Sequence, residues 1–136
     1  MPPRIQALRR HAFDRQGGRC YYCRISMWLL TSDELPARDL PAGLAARLKC
    51  TAEHLLPKSE GGRNTADNVV AACAHCNRTR HKRKYPPMPD VYRRQVERRV
   101  ERGAWHNPWV FEHGLLGPVV RRAASIAETE VTVATR

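Results

Sequence analysis

The chain has 136 residues, enough for one small domain, and a domain of this size buries only about two-thirds of its unfolded surface. Its 24 Lys and Arg against 13 Asp and Glu give a formal net charge of +11, so the expected partner is a polyanion: nucleic acid first, an acidic membrane surface second. There is no apolar run of about 18 residues and no apolar centre of a signal peptide near the N-terminus, so we expect a cytoplasmic protein without a membrane span.

The first predicted element is a short helix in which Ile5, Leu8 and Ala12 share one face. It is expected to end near Asp14, where a polar stretch with two glycines favours a turn. Residues 24–49 are less informative, and we interpret them as an insertion that packs against the core.

Two short runs bounded by turn residues, 51–55 and 69–72, predict an antiparallel hairpin with a long polar connection. Helical composition resumes after Cys73. In that helix Asn77 and His81 are four residues apart, so their side chains are expected to project from the same side.

A second helix is predicted over residues 90–103, with an Asp at its start and a Gly at its end. The apolar residues of 105–111 are expected to fold back as a clasp. We therefore predict one domain, 1–116, with its core at 20–84, followed by a loosely ordered tail at 117–136.

Four of the five cysteines form two C-x-x-C pairs, which are Cys20 with Cys23 and Cys73 with Cys76. In a reducing compartment this pattern favours a tetrahedral thiolate site over disulfides. Because four thiolates fill the zinc coordination shell and leave no position for water, we predict a structural Zn²⁺. Cys50 is interpreted as a small buried apolar residue.

A separate set of residues has the chemistry needed for phosphodiester hydrolysis, which requires a base for the attacking water and a hard cation for the phosphate. Histidine suits the first task, and carboxylate or amide oxygens suit Mg²⁺ or Mn²⁺. Glu53 and His54 are adjacent, however, and neighbours on a strand face opposite sides. They converge on one point only if the strand is irregular there, or if metal and water lie on different sides.

From residue 53 onwards the chain carries, in order, Glu53-His54, Pro57, Gly61-Gly62, Asp67-Asn68, Cys73-x-x-Cys76 and Asn77. This order and spacing resemble the signature of the HNH endonucleases, also called the ββα-metal or His-Me finger group, in their His-Asn-Asn variant. The cysteine pairs resemble the zinc-stapled branch, so the resemblance covers residues 20–84. It implies an α+β fold, with a hairpin–helix core, a structural zinc site of four cysteines and flanking helices.

The resemblance also implies roles for five residues. His54 would be the general base and Glu53 a ligand of the catalytic divalent ion. Asn77 would bind that ion or orient its water, and Asn68 would brace the hairpin loop through backbone hydrogen bonds. For His81 two roles stay open, metal ligand or phosphate contact. The implied reaction is metal-dependent hydrolysis of nucleic acid, with DNA preferred to RNA, leaving 5′-phosphate and 3′-hydroxyl ends.

Basic residues cluster beside this segment and are predicted to contact the phosphate backbone, although a run of charge is by itself most often a solvated face. They are Lys58, Arg63, Arg78, Arg80, Lys82, Arg83 and Lys84, and further arginines follow at 93–102. Such contacts position nucleic acid without reading its bases. Trp105 and Trp109 are expected to pack in the core.

Two other functions stay open at this point. One is a zinc-stapled nucleic-acid-binding module without turnover, and the other is a structural component of a larger complex. Outside the motif, His75 is interpreted as a solvent-facing spacer of the second knuckle. His11, His106 and His113 show no partner in the sequence and are interpreted as structural or surface residues.

Overall fold

The structure is a computed structural model that describes residues 3–117, so the predicted tail lies outside the described residues from residue 118 onwards. The elements are, in chain order, α1 (Pro3–Arg15), α2 (Leu44–Arg47), β1 (Cys50–His54), β2 (Val69–Cys73), α3 (Ala74–Arg80), α4 (Pro89–Glu101) and α5 (Trp109–Glu112), with 3₁₀ turns at Ser32–Glu34 and Lys58–Glu60. The α+β class and the hairpin–helix core are thereby confirmed. None of the helices within 3–117 has the length and apolarity that crossing a bilayer requires.

The antiparallel hairpin of β1 and β2 lies at the centre of the fold. All five residues of β2 are buried, because α1 packs on the hairpin and α3 follows directly from the end of β2. The side-chain amide of Gln16 donates to the Ala71 carbonyl at 2.8 Å and accepts from the Ala71 N–H at 2.9 Å. The middle of the outer edge of β2 is thus paired with the turn that follows α1.

The predicted N-terminal helix is confirmed as α1. Ile5 and Ala12 are buried on its inner face and Leu8 is half-buried. The helix ends where Gly17 and Gly18 adopt φ values of 64° and 74°, a left-handed backbone that glycine adopts without strain. This turn delivers the chain to the first cysteine pair.

The insertion before β1 is organised by one carboxylate. Glu34 accepts hydrogen bonds from the backbone N–H groups of Leu29, Leu30 and Thr31 at 2.8, 2.8 and 2.9 Å. These bonds, that of Leu29 first, lower the pKa of Glu34. They close a loop that buries Leu35 against the core.

The second predicted helix is confirmed as α4, which buries Tyr92 and Val96 and continues into the clasp. Trp105 and Val110 are buried as expected of a clasp that packs on the core. The Tyr92 hydroxyl donates to the Cys76 carbonyl at 2.8 Å, so α4 is fixed against the first turn of α3.

Candidate functional site

The four predicted cysteine ligands form a single buried cluster. The Sγ atoms of Cys20, Cys23, Cys73 and Cys76 all lie within 4.8 Å of one another, with Cys23 and Cys73 at 3.9 Å. Zn–S bonds of about 2.3 Å in a tetrahedron place the sulfurs about 3.8 Å apart, so this donor set fits Zn²⁺. Among residues 3–117 this is the one group of three or more His, Cys, Asp or Glu side chains spaced for a metal ion.

Backbone N–H groups of both knuckles point at these sulfurs. Cys20 Sγ accepts from the N–H groups of Tyr22 at 3.4 Å and Cys73 at 3.3 Å, and Cys73 Sγ accepts from that of Cys76 at 3.4 Å. Burial alone raises the pKa of the Cys20 thiol, but hydrogen bonds from the neighbouring cysteines outweigh it and lower that pKa. Burial raises the pKa of Cys23 and Cys76. A divalent cation bound by the four cysteines would relieve this competition, because a coordinated thiol is deprotonated.

The clasp adds two side chains to the cluster, and no pattern in the sequence indicated either contact. Trp105 Nε1 donates to Cys76 Sγ at 3.3 Å, and His106 Nε2 lies 3.4 Å from Cys23 Sγ. Burial, with His75 as the next cause, lowers the pKa of His106 to about 4, so its ring is neutral at pH 7. Of the two interpretations left open for His106, structural or surface residue, these contacts favour the structural one. His75 is half-buried beside Trp105 and His106, with ring centroids 4.8 Å apart, so it is not a free spacer.

A second candidate site, separate from the cysteine cluster, is built around the buried carboxylate of Glu53. Its side chain is 2% exposed on the face of β1 that meets α3. Oε2 accepts from the Tyr22 hydroxyl and from Arg80 Nη1, both at 2.8 Å. Oε1 lies 3.0 Å from Nε2 of His81, whose side chain is 31% exposed. Oε2 is therefore bonded to buried donors, whereas Oε1 is bonded to His81 alone among the described residues, although His81 Nε2 also lies 3.3 Å from Oε2.

The contact between Glu53 Oε1 and His81 Nε2 is a hydrogen bond or ion pair in the structure, and its length is also that of two adjacent ligands of one small cation. Bonds of about 2.1 Å at right angles place two ligand atoms about 3.0 Å apart, which is the distance observed. Mg²⁺ and Mn²⁺ accept carboxylate ligands and retain waters, so a two-residue site at a partly exposed edge suits them. This donor set fits the divalent ion that the resemblance implies.

His54 lies on the opposite face of β1 from Glu53. The register pairs Glu53 with Val70 and His54 with Val69 without a bulge, so the strand is regular here. His54 Nε2 lies 2.8 Å from Oδ1 of Asn64, a loop residue that the sequence did not single out. Glu53 and His54 therefore do not converge through an irregular strand. Of the two arrangements that the sequence left open, the one with metal and water on different sides of the strand remains.

Asn68 holds the connection between the two strands. Its Oδ1 accepts from the Leu56 N–H at 2.8 Å, and its Nδ2 donates to the carbonyls of Leu56 at 3.1 Å and Arg63 at 3.0 Å. These are the bracing contacts expected of it. Gly62 is required in the same loop, because a Cβ there would lie 1.7 Å from the Leu56 carbonyl oxygen.

The side chain of Asn77 is hydrogen-bonded to the start of β1 and not to Glu53. Its Nδ2 donates to Thr51 Oγ1 at 3.0 Å and to the Ala52 carbonyl at 3.3 Å. The helix-borne partner of the carboxylate is His81, one turn further along the chain. In this arrangement Asn77 fixes α3 to the start of β1, and its role as a metal ligand stays a prediction.

The prediction that Arg80 contacts nucleic acid was wrong. Its side chain is 2% exposed, and besides Glu53 it donates to the carbonyls of His54 at 3.3 Å, Leu55 at 3.2 Å and Pro87 at 3.0 Å. All its donors thus face the protein interior. The remaining predicted contacts are at least partly exposed, and they are Lys58, Arg63, Arg78, Lys82, Arg83 and Lys84.

Comparison with known proteins adds one finding to this geometry. A family model described as HNH endonuclease matches residues 44–83. Comparison with curated proteins gave no significant match, and neither did comparison with solved structures. The matched range contains β1, the connection, β2 and α3, with Glu53 and His54 inside it. Residues 44–83 therefore match the HNH endonuclease family, and the four clustered cysteines fit the zinc-stapled branch of that family.

Proposed function

We propose that this protein is a metal-dependent endonuclease that hydrolyses phosphodiester bonds of nucleic acid, with DNA as the preferred substrate. The observation that carries the proposal is the 3.0 Å approach of Glu53 Oε1 to His81 Nε2 inside the matched HNH segment. HNH endonucleases act on nucleic acid, and a net charge of +11 suits the same partner.

Glu53 and His81 hold the divalent ion in this proposal. A divalent ion bound there supplies charge neutralisation at the phosphate and the leaving oxygen. His81 must be neutral to offer a lone pair, and its exposure leaves the edge open to a phosphate. Tyr22 and Arg80 act on Glu53 as positioning residues, since both donate to Oε2 and so turn Oε1 towards His81.

His54 is the proposed general base. An amide oxygen accepts hydrogen bonds, so Nε2–H of His54 donates to Asn64 Oδ1, and the lone pair of the neutral ring lies on Nδ1. Nδ1 would then take the proton of the attacking water. Asn64 therefore selects the tautomer and fixes the ring orientation, while Asn68 keeps the loop that carries Asn64 in place.

A plasmid-nicking assay with Mg²⁺, Mn²⁺, Ni²⁺ or EDTA tests this function. We expect cleavage that requires a divalent ion, and a loss of about 10²–10⁴-fold in rate for His54→Ala. His11→Ala removes an exposed histidine outside the segment and serves as the matched control. Zinc content and DNA affinity should be unchanged in both variants. Metal-dependent cleavage by His54→Ala at the native rate would contradict the proposed base.

A nucleic-acid-binding module without turnover is the second candidate, and one observation favours it. The Glu53 carboxylate is already ion-paired with the buried guanidinium of Arg80, which offsets its attraction for a cation. Titration of the zinc-loaded protein with Mn²⁺, followed by electron paramagnetic resonance, separates the two candidates. Saturable binding that Glu53→Gln abolishes favours the nuclease. Without such binding, and without cleavage by the native protein, the binding module is favoured.

A further inference from the structure

A basic groove lies between α3, α4 and the clasp, outside the proposed metal site and general base, and it includes Lys82 and Arg83 of the predicted phosphate contacts. It consists of two adjoining hollows of about 400 and 500 Å³, which share Thr79, Arg99 and Trp105 as lining residues. We call it the rear groove. Its cationic lining residues are Arg47, Lys82, Arg83, Arg98, Arg99 and Arg102, and neither hollow is lined by a carboxylate from the described part of the chain.

The rear groove is on the side of α3 that faces away from Glu53. Successive residues of a helix are rotated by about 100°, so Thr79 is about 160° from both Asn77 and His81. Asn77 and His81 contact β1, whereas Thr79 and His75 line the groove. A phosphate at Glu53 and a phosphate in the rear groove would therefore be two different phosphates.

The cations of the rear groove lack acidic partners within residues 3–117. On α4, Arg93 lies 3.8 Å from a Glu97 carboxylate oxygen and Arg94 lies 3.7 Å from one of Asp90. Over the same described range, the six groove cations form no such ion pair. Arg98 and Arg102 are moreover four residues apart on one helical face, where like charges destabilise the helix. An anion bound between them relieves that repulsion.

A buried aromatic side chain lines both hollows of the rear groove. Trp105, at the groove floor, is 6% exposed and has the guanidinium carbon of Arg99 5.8 Å from its ring centroid. Its burial keeps Trp105 from stacking on a base, so it adds no base contact to the cations of the groove.

We propose that the rear groove binds the phosphate backbone of nucleic acid at a distance from the scissile bond. Two adjoining hollows with unpaired cations along both suit an extended polyanion better than a single phosphate. This second contact rests on the nucleic-acid partner of the proposed function and is independent of cleavage. It supplies affinity, so its loss raises the substrate concentration needed for cleavage and leaves the rate at saturation unchanged.

The test compares two double variants with the same change of charge. Arg98→Gln/Arg102→Gln alters the rear groove, and Arg10→Gln/Arg15→Gln removes two exposed arginines of α1. The affinity for a fluorescein-labelled duplex of about 20 base pairs is measured by anisotropy in EDTA from about 50 to 200 mM KCl, the range over which phosphate contacts change affinity most visibly. Thermal melting first shows that both variants fold as the native protein does.

For the groove variant we expect about tenfold weaker binding at the lowest salt concentration. The slope of log K against log salt concentration should be smaller in magnitude by about 1.8, because each lost phosphate contact removes about 0.9. The control should differ from native by less than about twofold. Equal affinities and slopes for the two variants would overturn the proposal. So would a groove variant that binds the duplex normally but no longer sediments with phosphatidylserine vesicles. If the native protein binds DNA without cleaving it, only the proposed nuclease activity fails.

Discussion

The ion pair of Arg80 and Glu53 is the most consequential buried contact of the site, and Arg80→Met tests its contribution. Methionine retains much of the length of the side chain and removes the charge. The substitution leaves Glu53 with one fewer donor and leaves the carbonyls of His54, Leu55 and Pro87 without the guanidinium that they now share. Arg80 therefore joins the end of β1, through Glu53, His54 and Leu55, to the segment before α4, through Pro87.

Removal of one partner from a buried pair costs about 3–5 kcal/mol, because the other charge is left uncompensated in a poorly hydrated site. A domain of this kind has a free energy of unfolding of about 5–15 kcal/mol, so Arg80→Met should lose a large fraction of it. Urea unfolding of the zinc-loaded protein, followed by circular dichroism, measures the change. Arg78→Met removes an exposed arginine of the same helix and should change the free energy by less than about 0.5 kcal/mol.

The double variant Arg80→Met/Glu53→Met identifies the cause of the loss. If the uncompensated charge is responsible, the double variant is more stable than Arg80→Met alone, since apolar replacement of a whole buried pair is often neutral or stabilising. If Arg80→Met costs no more than Arg78→Met, or if the second substitution adds a further loss, the electrostatic explanation is refuted.

Four further outcomes are expected. Tyr22→Phe removes one hydrogen bond to the Glu53 carboxylate and should weaken Mn²⁺ binding by up to about tenfold, with the zinc content unchanged. The control Tyr92→Phe also loses a buried hydrogen bond but should leave Mn²⁺ binding unchanged. Asn68→Ala should lower the rate of plasmid nicking, and loop-specific hydrogen exchange should show faster exchange, since three hydrogen bonds of the connection are lost. Prolonged treatment with a strong zinc chelator should unfold the protein, and Zn²⁺ but not Mg²⁺ should restore its circular dichroism spectrum. The pKa of Glu34 is lowered by folding, so its carboxylate stabilises the protein above the ordinary glutamate pKa and loses that effect as the pH falls through the folded-state value. The difference in free energy of unfolding between native protein and Glu34→Gln should therefore be largest near neutral pH and shrink in acid.

Local patterns in the sequence determined most of the framework. The hairpin at 51–55 and 69–72 was predicted to within a residue of its observed strands, because turn residues bound two short runs. The four zinc-binding candidates followed from their spacing, since two thiolates from one C-x-x-C turn reach the same ion. The resemblance to HNH endonucleases was also visible in the sequence, because the signature of that family is a fixed order of residue types along one stretch of chain.

The tertiary structure alone decided which of these side chains meet. Residues 78–84 look like one uniform basic run, but the rotation of α3 turns Arg80 into the interior and leaves its neighbours in solvent. The same rotation brings His81 to Glu53 and directs Asn77 to the backbone of β1.

The partners of Tyr22 and His106 are 31 and 83 residues away in the chain. Such contacts depend on how distant segments pack, and no local pattern encodes them. The sequence therefore determined which chemical groups are present, whereas packing determined which oxygen of Glu53 is occupied by buried donors and which one faces the histidine at the surface.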